Sequence, residues 1–173
     1  MPLGISGVYG IASLPFIDDR GSFSRIWEDF DEVELASDFK HISISKNISI
    51  GTTRGLHYQE APNDETKVVT CIAGLIFDVI VDLRESSGSF GKYLAVNLGP
   101  ESDFQGLYIP NGFAHGFQTL ESNSTLLYMM NKPYSPESAC GIRWDDSYLG
   151  ISWPLEPRVI SEKDRNWPKS NRK

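Results

Sequence analysis

The chain holds three histidines, His41, His57 and His115. His57, in TTRGLHYQ, has Arg54 three residues before it and Lys67 ten residues after it, beyond the loop EAPNDET. If that loop reverses the chain, His57 and Lys67 share a pocket. Arginine and lysine favour an anionic ligand, and arginine grips phosphate through two parallel bonds. Histidine is a base poised near neutrality. A lysine can stabilise a developing enolate oxygen, and a tyrosine hydroxyl can return a proton. Together such groups suit proton abstraction beside a carbonyl on a phosphorylated substrate. Each also has a plainer reading: a lone histidine is more often a hydrogen-bonded structural group, and Lys67 alone would be a solvated strand start.

Positioning is the difficulty. Arg54 and His57 are an odd number of residues apart, so a regular strand sends them to opposite faces. Gly55 can host a bulge that brings both to one side. His115 lies in IPNGFAHGF, where Pro-x-Gly-x-x-His resembles the second half of the cupin metal signature. The first half supplies His-x-His and a later Glu. Here the corresponding run is His57-Tyr58-Gln59, with one histidine missing. Two histidines are too few for a tight site of three or four ligands. The expectation is a cupin-like barrel with no metal and no cofactor.

The elements that must hold these groups read as short apolar runs separated by turn residues, the pattern of an all-β sandwich or barrel. VVTCIAGLIFDVIVDL gives two β-branched runs joined near Ala73–Gly74, read as a hairpin. In its second run Asp78 and Asp82 share a face with Ile76 and Ile80, so they meet solvent or line a polar cavity. Residues 41–50, HISISKNISI, alternate sharply. Ile42, Ile44, Ile48 and Ile50 fall on a face suited to hydrophobic packing. His41, Ser43, Ser45, Asn47 and Ser49 fall on a face suited to something polar. Further strands are expected at Tyr93–Leu98, Gly106–Ile109, 116–120 and 125–130, with one or two helical turns in the acidic stretch 27–39. Nothing alternates strand with long helix, so a parallel α/β sheet is excluded. The expected architecture is a jelly-roll β-sandwich closed enough to hold a ligand in its mouth.

Composition sets the bounds. The 173 residues suit one domain, 1–173, with a tail frayed from about residue 168. With 40% hydrophobic and 23% charged residues the chain is foldable, and a net charge of −7 argues against nucleic acid or anionic membranes as partners. No run approaches the roughly 20 apolar residues of a membrane span, and the N-terminus lacks the basic start of a signal peptide. Two cysteines, Cys71 and Cys140, make no disulfide framework, so cytoplasm is the default compartment. Cys71 reads as a small buried hydrophobe.

FIDDRGSF, RGLHYQ, K-V-V across a short loop, FDVIVDLR, SFGKY, IPNGFAHGF, LLYMMNKPYSPE, GIRWDDSYLGISWP and SEKD, in that order, closely resemble the dTDP-4-dehydrorhamnose 3,5-epimerase family. The resemblance implies a metal-free, homodimeric cupin jelly roll. It implies a nucleotide-diphosphate 4-keto-6-deoxy sugar as substrate, most simply one carrying dTDP. The C4 ketone acidifies the protons on C3 and C5. An enzyme of this kind removes such a proton, forms an enolate and reprotonates from the other ring face. By position His57 resembles the base, Asp164 of SEKD the carboxylate that orients it, Lys67 the enolate stabiliser and Tyr128 of LLYMM the acid. Arg54 resembles a diphosphate ligand, and Arg20 of DDRGSF an arginine reaching the substrate held by the partner subunit. His115 and Tyr134 match pocket positions, and Phe23 and Gln59 join the substrate-binding set. Read without the resemblance, Asp164 is a surface acid, Tyr128 a core aromatic and Arg20 a turn residue paired with Asp18 and Asp19.

One departure concerns the strand before Arg54. The family's alternating Gln, Asn, Ser and Ser, counted back from Gly51, fall on Ile42, Ile44, Lys46 and Ile48. The polar alternation survives one residue out of register, as His41, Ser43, Ser45 and Asn47. A one-residue slip flips every side chain, so a bulge or an altered turn must restore the polar face to the pocket, where Ser43, Ser45 and Asn47 would read the nucleotide. Alternatives on the same scaffold are 3-epimerisation alone, 3,4-ketoisomerisation, a non-catalytic sugar-nucleotide binder and a metal-dependent cupin oxygenase. Isomerisation moves a proton on one ring face, so a Tyr128 across the sugar from His57 favours inversion.

Overall fold

A computed structural model describes residues 1–28 and 38–170. Twelve strands and one short helix run in the order β1 (Tyr9–Ile11), β2 (Phe16–Asp18), β3 (Gly21–Phe23), β4 (His41–Asn47), β5 (Thr53–Gln59), β6 (Lys67–Ala73), β7 (Ile76–Asp82), β8 (Tyr93–Leu98), β9 (Gly106–Ile109), β10 (Phe113–Thr119), β11 (Ser124–Met130), β12 (Ala139–Gly141) and α1 (Glu162–Arg165). They form two five-stranded antiparallel sheets, β1-β9-β6-β11-β4 and β12-β5-β10-β7-β8, with β2 and β3 as a separate hairpin. This is the expected jelly roll. Inward residues of both sheets, among them Val69, Ile80, Leu107, Phe117 and Leu126, make the buried layer between them. Val79, Val81 and Ala114 point the other way and are covered by Leu149 and Trp153 of the C-terminal segment. Burial on both faces explains why the β6 and β7 runs are apolar almost without interruption.

Those two runs are not a hairpin. β6 pairs with β9 and β11, whereas β7 pairs with β10 and β8. The turn at Gly74, with φ +75°, carries the chain from one sheet to the other, and both edges of each strand are already taken. Asp78 and Asp82 are both fully buried. Asp82 accepts from the Arg84 guanidinium and from the Ser87 and Ser89 hydroxyls. Burial pushes its pKa up, but these bonds outweigh it and hold the carboxyl far below its usual range. Cys71 is buried as expected, and burial pushes its thiol up to about 11.

Strand β4 lies at a sheet edge, and none of the described residues packs over its apolar face. Ile42, Ile44 and Ile48 are 69%, 58% and 79% exposed. Its polar face turns inward, with Ser43 opposite Tyr128, Ser45 opposite Leu126 and Asn47 opposite Ser124 in unbroken register. The strand itself carries no bulge, and in the turn 48–52 that follows, the hydroxyls of Thr52 and Thr119 both donate to the Ser49 carbonyl. Of the acidic stretch expected to be partly helical, residues 29–37 lie outside the described residues. Its ends pack, Trp27 edge-on to Phe39. The tail is tied down further than expected. Pro168 accepts from the Arg143 amide, and the Ser170 hydroxyl donates to Asp146.

Candidate active site

The site is built where β5 departs from regularity. Its register against β10 slips between His115 and Phe117: His115 pairs with His57, yet Phe117 pairs with Arg54. The extra residue is taken up at Gly55, whose φ is +125°. A side chain there would come within 2.6 Å of Gly116 Cα and 3.0 Å of the His115 carbonyl oxygen. Glycine is thus required both by conformation and by space. The bulge turns Arg54 and His57 into the same cavity of about 390 Å³.

That cavity is lined from both sheets. Arg54, His57, Gln59 and His115 come from one, and Lys67 and Tyr128 from the other. Helix α1 closes one side. Ser161 caps it by accepting from the Asp164 amide, which fixes Asp164 at 4% exposure behind His57. Asp164 Oδ1 lies 2.6 Å from His57 Nε2 and also accepts from the Trp167 indole at 3.1 Å, while Oδ2 meets the Gly55 amide at 3.4 Å. Burial pushes the Asp164 carboxyl up, but the imidazole and these donors pull it down further, so it rests below its ordinary value. With Nε2 committed to Asp164, Nδ1 is the nitrogen of His57 left to take a proton.

Tyr128 lies in the opposite sheet. Among the described residues its hydroxyl has no hydrogen-bond partner, and burial pushes the phenol far up. The ring meets His115 edge-on at 6.0 Å. His115 is itself held by the buried Asp78, Nε2 to Oδ2 at 2.8 Å. The Lys67 ammonium lies 2.7 Å from Glu65 in the cavity wall. Arg54 Nε donates to Asn47 Oδ1 at 2.9 Å, which ties the guanidinium to the inward face of β4. Ser43 and Ser45 lie on that same face beyond the cavity wall. Tyr134 stands at the mouth, 68% exposed.

Three expected contacts look different in place. Gln59 lines the cavity, but its amide donates to the Asn63 and Pro133 carbonyls and its oxygen accepts from the Ser135 amide. It pins loops, with both donors spent. Arg20 and Phe23 do not line this cavity. They sit on the exposed β2–β3 hairpin, where Arg20 pairs with Asp18. Among the described residues no group of three or more His, Cys, Asp or Glu side chains converges as a metal site would require, because His57 and His115 each engage a separate carboxylate.

Glu65, Lys132, Cys140, Lys163 and Trp167 also line the cavity and were not singled out from the sequence. For two of them a signal exists. Trp167 follows Asp164 by three residues, just past the end of α1, and Glu65 precedes Lys67 by two, the spacing that keeps extended residues on one side.

A family model described as dTDP-4-dehydrorhamnose 3,5-epimerase matches residues 2–172. The chain is 39% identical over 169 residues to the dTDP-4-dehydrorhamnose 3,5-epimerase of Sinorhizobium fredii, covering 96% of this chain and 86% of that one. Its fold superimposes on the Bacillus anthracis dTDP-4-dehydrorhamnose 3,5-epimerase solved with TDP and PPi, at TM-score 0.93 and 32% identity over 98% of each chain. It also matches a Legionella pneumophila dTDP-6-deoxy-D-glucose-3,5-epimerase in complex with dTDP-4-keto-L-rhamnose, at TM-score 0.87 and 34% identity over 95% of this chain and 88% of that one.

Proposed function

Because the chain belongs to the dTDP-4-dehydrorhamnose 3,5-epimerase family, we propose that it converts dTDP-4-dehydro-6-deoxy-D-glucose to dTDP-4-dehydro-L-rhamnose by inverting C3 and C5. His57 takes the proton from the carbon beside the C4 ketone, and the C–H electron pair moves into the ring to give an enolate. Asp164 holds the imidazole and stabilises the imidazolium that forms. The Lys67 ammonium and the His115 ring lie against the wall where the enolate oxygen gathers charge. Tyr128 then delivers its proton from the other ring face, and the configuration inverts. Burial keeps the phenol protonated until that step.

The observation that carries this reading is the entry of His57 and Tyr128 into one cavity from opposite sheets. A one-face transfer, as in 3,4-ketoisomerisation, has no use for an acid so placed. Arg54 takes the diphosphate, leaving its terminal nitrogens for the two-point grip that guanidinium gives to phosphate. Ser43 and Ser45 face the nucleotide, with Tyr134 at the mouth, while Asn47, buried and with its amide spent on Ser45, Ser124 and Arg54, holds the guanidinium in place.

The active form in this proposal is a homodimer. The uncovered isoleucines of β4 and the exposed Phe16, Ile17 and Phe23 of the β2–β3 hairpin form apolar surface of the kind that marks an interface. Burying it against a second copy would bring Arg20 and Phe23 to the partner's cavity, which explains why neither lines its own. No helix among the described residues is long and apolar enough to cross a membrane, and both cysteines are free. We place the enzyme in the cytoplasm. The test is incubation with dTDP-4-dehydro-6-deoxy-D-glucose and proton NMR of the product. Ring couplings of the L-rhamno configuration are expected, and unchanged substrate, or a product inverted at C3 alone, would refute the assignment.

A further inference from the structure

Three basic groups on the cavity wall each have a carboxylate of their own. His57 has Asp164, and His115 has Asp78. Lys67 has Glu65, at 2.7 Å between Nζ and Oε1, with side chains only 7% and 9% exposed. The first two pairs are explained by imidazoles that need orienting. The third is not explained by folding. Glu65 Oε2 is buried and has no hydrogen-bond partner among the described residues. A buried ion pair with an unmet oxygen breaks even at best, and apolar replacements of such pairs often stabilise a protein. The backbone around it is nevertheless firmly set. Thr66, between the two residues, donates to Asn131 Oδ1 and accepts from the Asn131 amide, and Lys67 pairs with Met130 and Ile109 across β6. Among the described residues no other acid reaches the Lys67 ammonium.

From this we infer that Glu65 is a positioning residue for the reaction: its charge anchors the Lys67 ammonium at the cavity wall, where the ammonium meets the enolate oxygen. The inference rests on the epimerase reading and deepens it. One carboxylate oxygen fixes the ammonium along a single direction. Without it, a four-carbon side chain regains rotamers that point elsewhere. Glu65 touches no reacting atom in this account and acts through Lys67 alone.

A double-mutant cycle separates that role from a structural one. Glu65→Gln is close in shape and keeps an oxygen and a nitrogen in place. The cycle compares wild type, Glu65→Gln, Lys67→Gln and the double variant, with solvent deuterium exchange into the 4-keto sugar nucleotide as the rate and dTDP titration as the binding control. On the wild-type background Glu65→Gln is expected to lower kcat by roughly tenfold or more, with KM and dTDP affinity held within about twofold. On the Lys67→Gln background the same change has no further effect. The melting temperature of Glu65→Gln is expected to fall, because the variant leaves the Lys67 ammonium buried without its partner, and to recover in the double variant. An equal loss on both backgrounds overturns the inference, as does an unchanged kcat in Glu65→Gln. So does a loss of dTDP affinity in parallel with the loss of turnover, which would make Glu65 a folding residue. Failure of the wild type itself to exchange would instead strike the epimerase reading, and this inference with it.

Discussion

His57 Nε2 and Asp164 Oδ1 lie 2.6 Å apart although 107 residues separate them in the chain. The contact exists because a bulge at Gly55 turns His57 off its strand's regular face and a capped turn at Ser161 presents Asp164 to it. Asp164→Asn keeps the shape but removes the anion that steadies the imidazolium. Turnover is expected to fall by about 10²–10⁴-fold, with dTDP affinity little changed, measured by steady-state kinetics and titration.

The same carboxylate ties stability to acid. Its pKa is lowered in the folded protein, so its stabilising contribution is complete above the unfolded value of about 3.9 and is lost as pH falls through the folded value. Asp82, lowered by Arg84, Ser87 and Ser89, adds to the same trend. Urea midpoints recorded from pH 6 downward should fall for the wild type below about pH 4. Asp164→Asn, which cannot titrate there, should show a shallower fall. Parallel curves for the two proteins would contradict this.

Tyr128→Phe removes only the hydroxyl. Proton abstraction by His57 remains possible, but no acid waits on the other face. Inverted product is expected to drop by about 10²-fold or more, while exchange of the substrate's C–H hydrogens with solvent falls less. NMR of one reaction in heavy water reads both. Equal losses would mean that the tyrosine serves binding or packing instead.

Gly55→Ala tests the bulge. The backbone sits at φ +125°, and a methyl group would strike Gly116. A destabilisation of about 1–3 kcal/mol is expected by chemical denaturation. Any folded fraction should lose turnover, because Arg54 and His57 no longer share a side. Wild-type stability in this variant would remove the bulge from the account.

Subunit mixing tests the dimer. Arg20→Ala and His57→Ala should each be nearly inactive alone. Unfolded together and refolded, they form mixed dimers in which one of the two sites has both groups intact, so activity returns. Ile44→Lys, placed on the uncovered face of β4, should yield monomers in sedimentation. No recovery on mixing, or a dimer that survives Ile44→Lys, would count against the proposed interface.

Much of the architecture was legible because its signals are local. The alternation at 41–50 places Ser43 and Asn47 inward in the fold, and Gly55 between Arg54 and His57 marks the bulge that joins them. The β6–β7 connection was misread because a glycine turn between two apolar runs looks the same whether the chain folds back or crosses to another sheet. The difference lies in which strands occupy the edges, and that is non-local. The isoleucine face of β4 is apolar in sequence yet uncovered in the isolated chain, because the surface that would cover it belongs to no other segment described here. Glu65 escaped notice for a related reason: a carboxylate in a polar loop reads as solvated, and only the fold puts it beside Lys67. Gln59 shows the converse, a pocket residue whose amide holds loops.

The most direct test of the central claim is deuterium incorporation from heavy water into dTDP-4-dehydro-6-deoxy-D-glucose, followed carbon by carbon with NMR. The wild type should place deuterium at both C3 and C5 of the inverted sugar, and His57→Ala should place it at neither. Exchange that persists without the imidazole, or is absent with it, would contradict the assignment of His57 as the base.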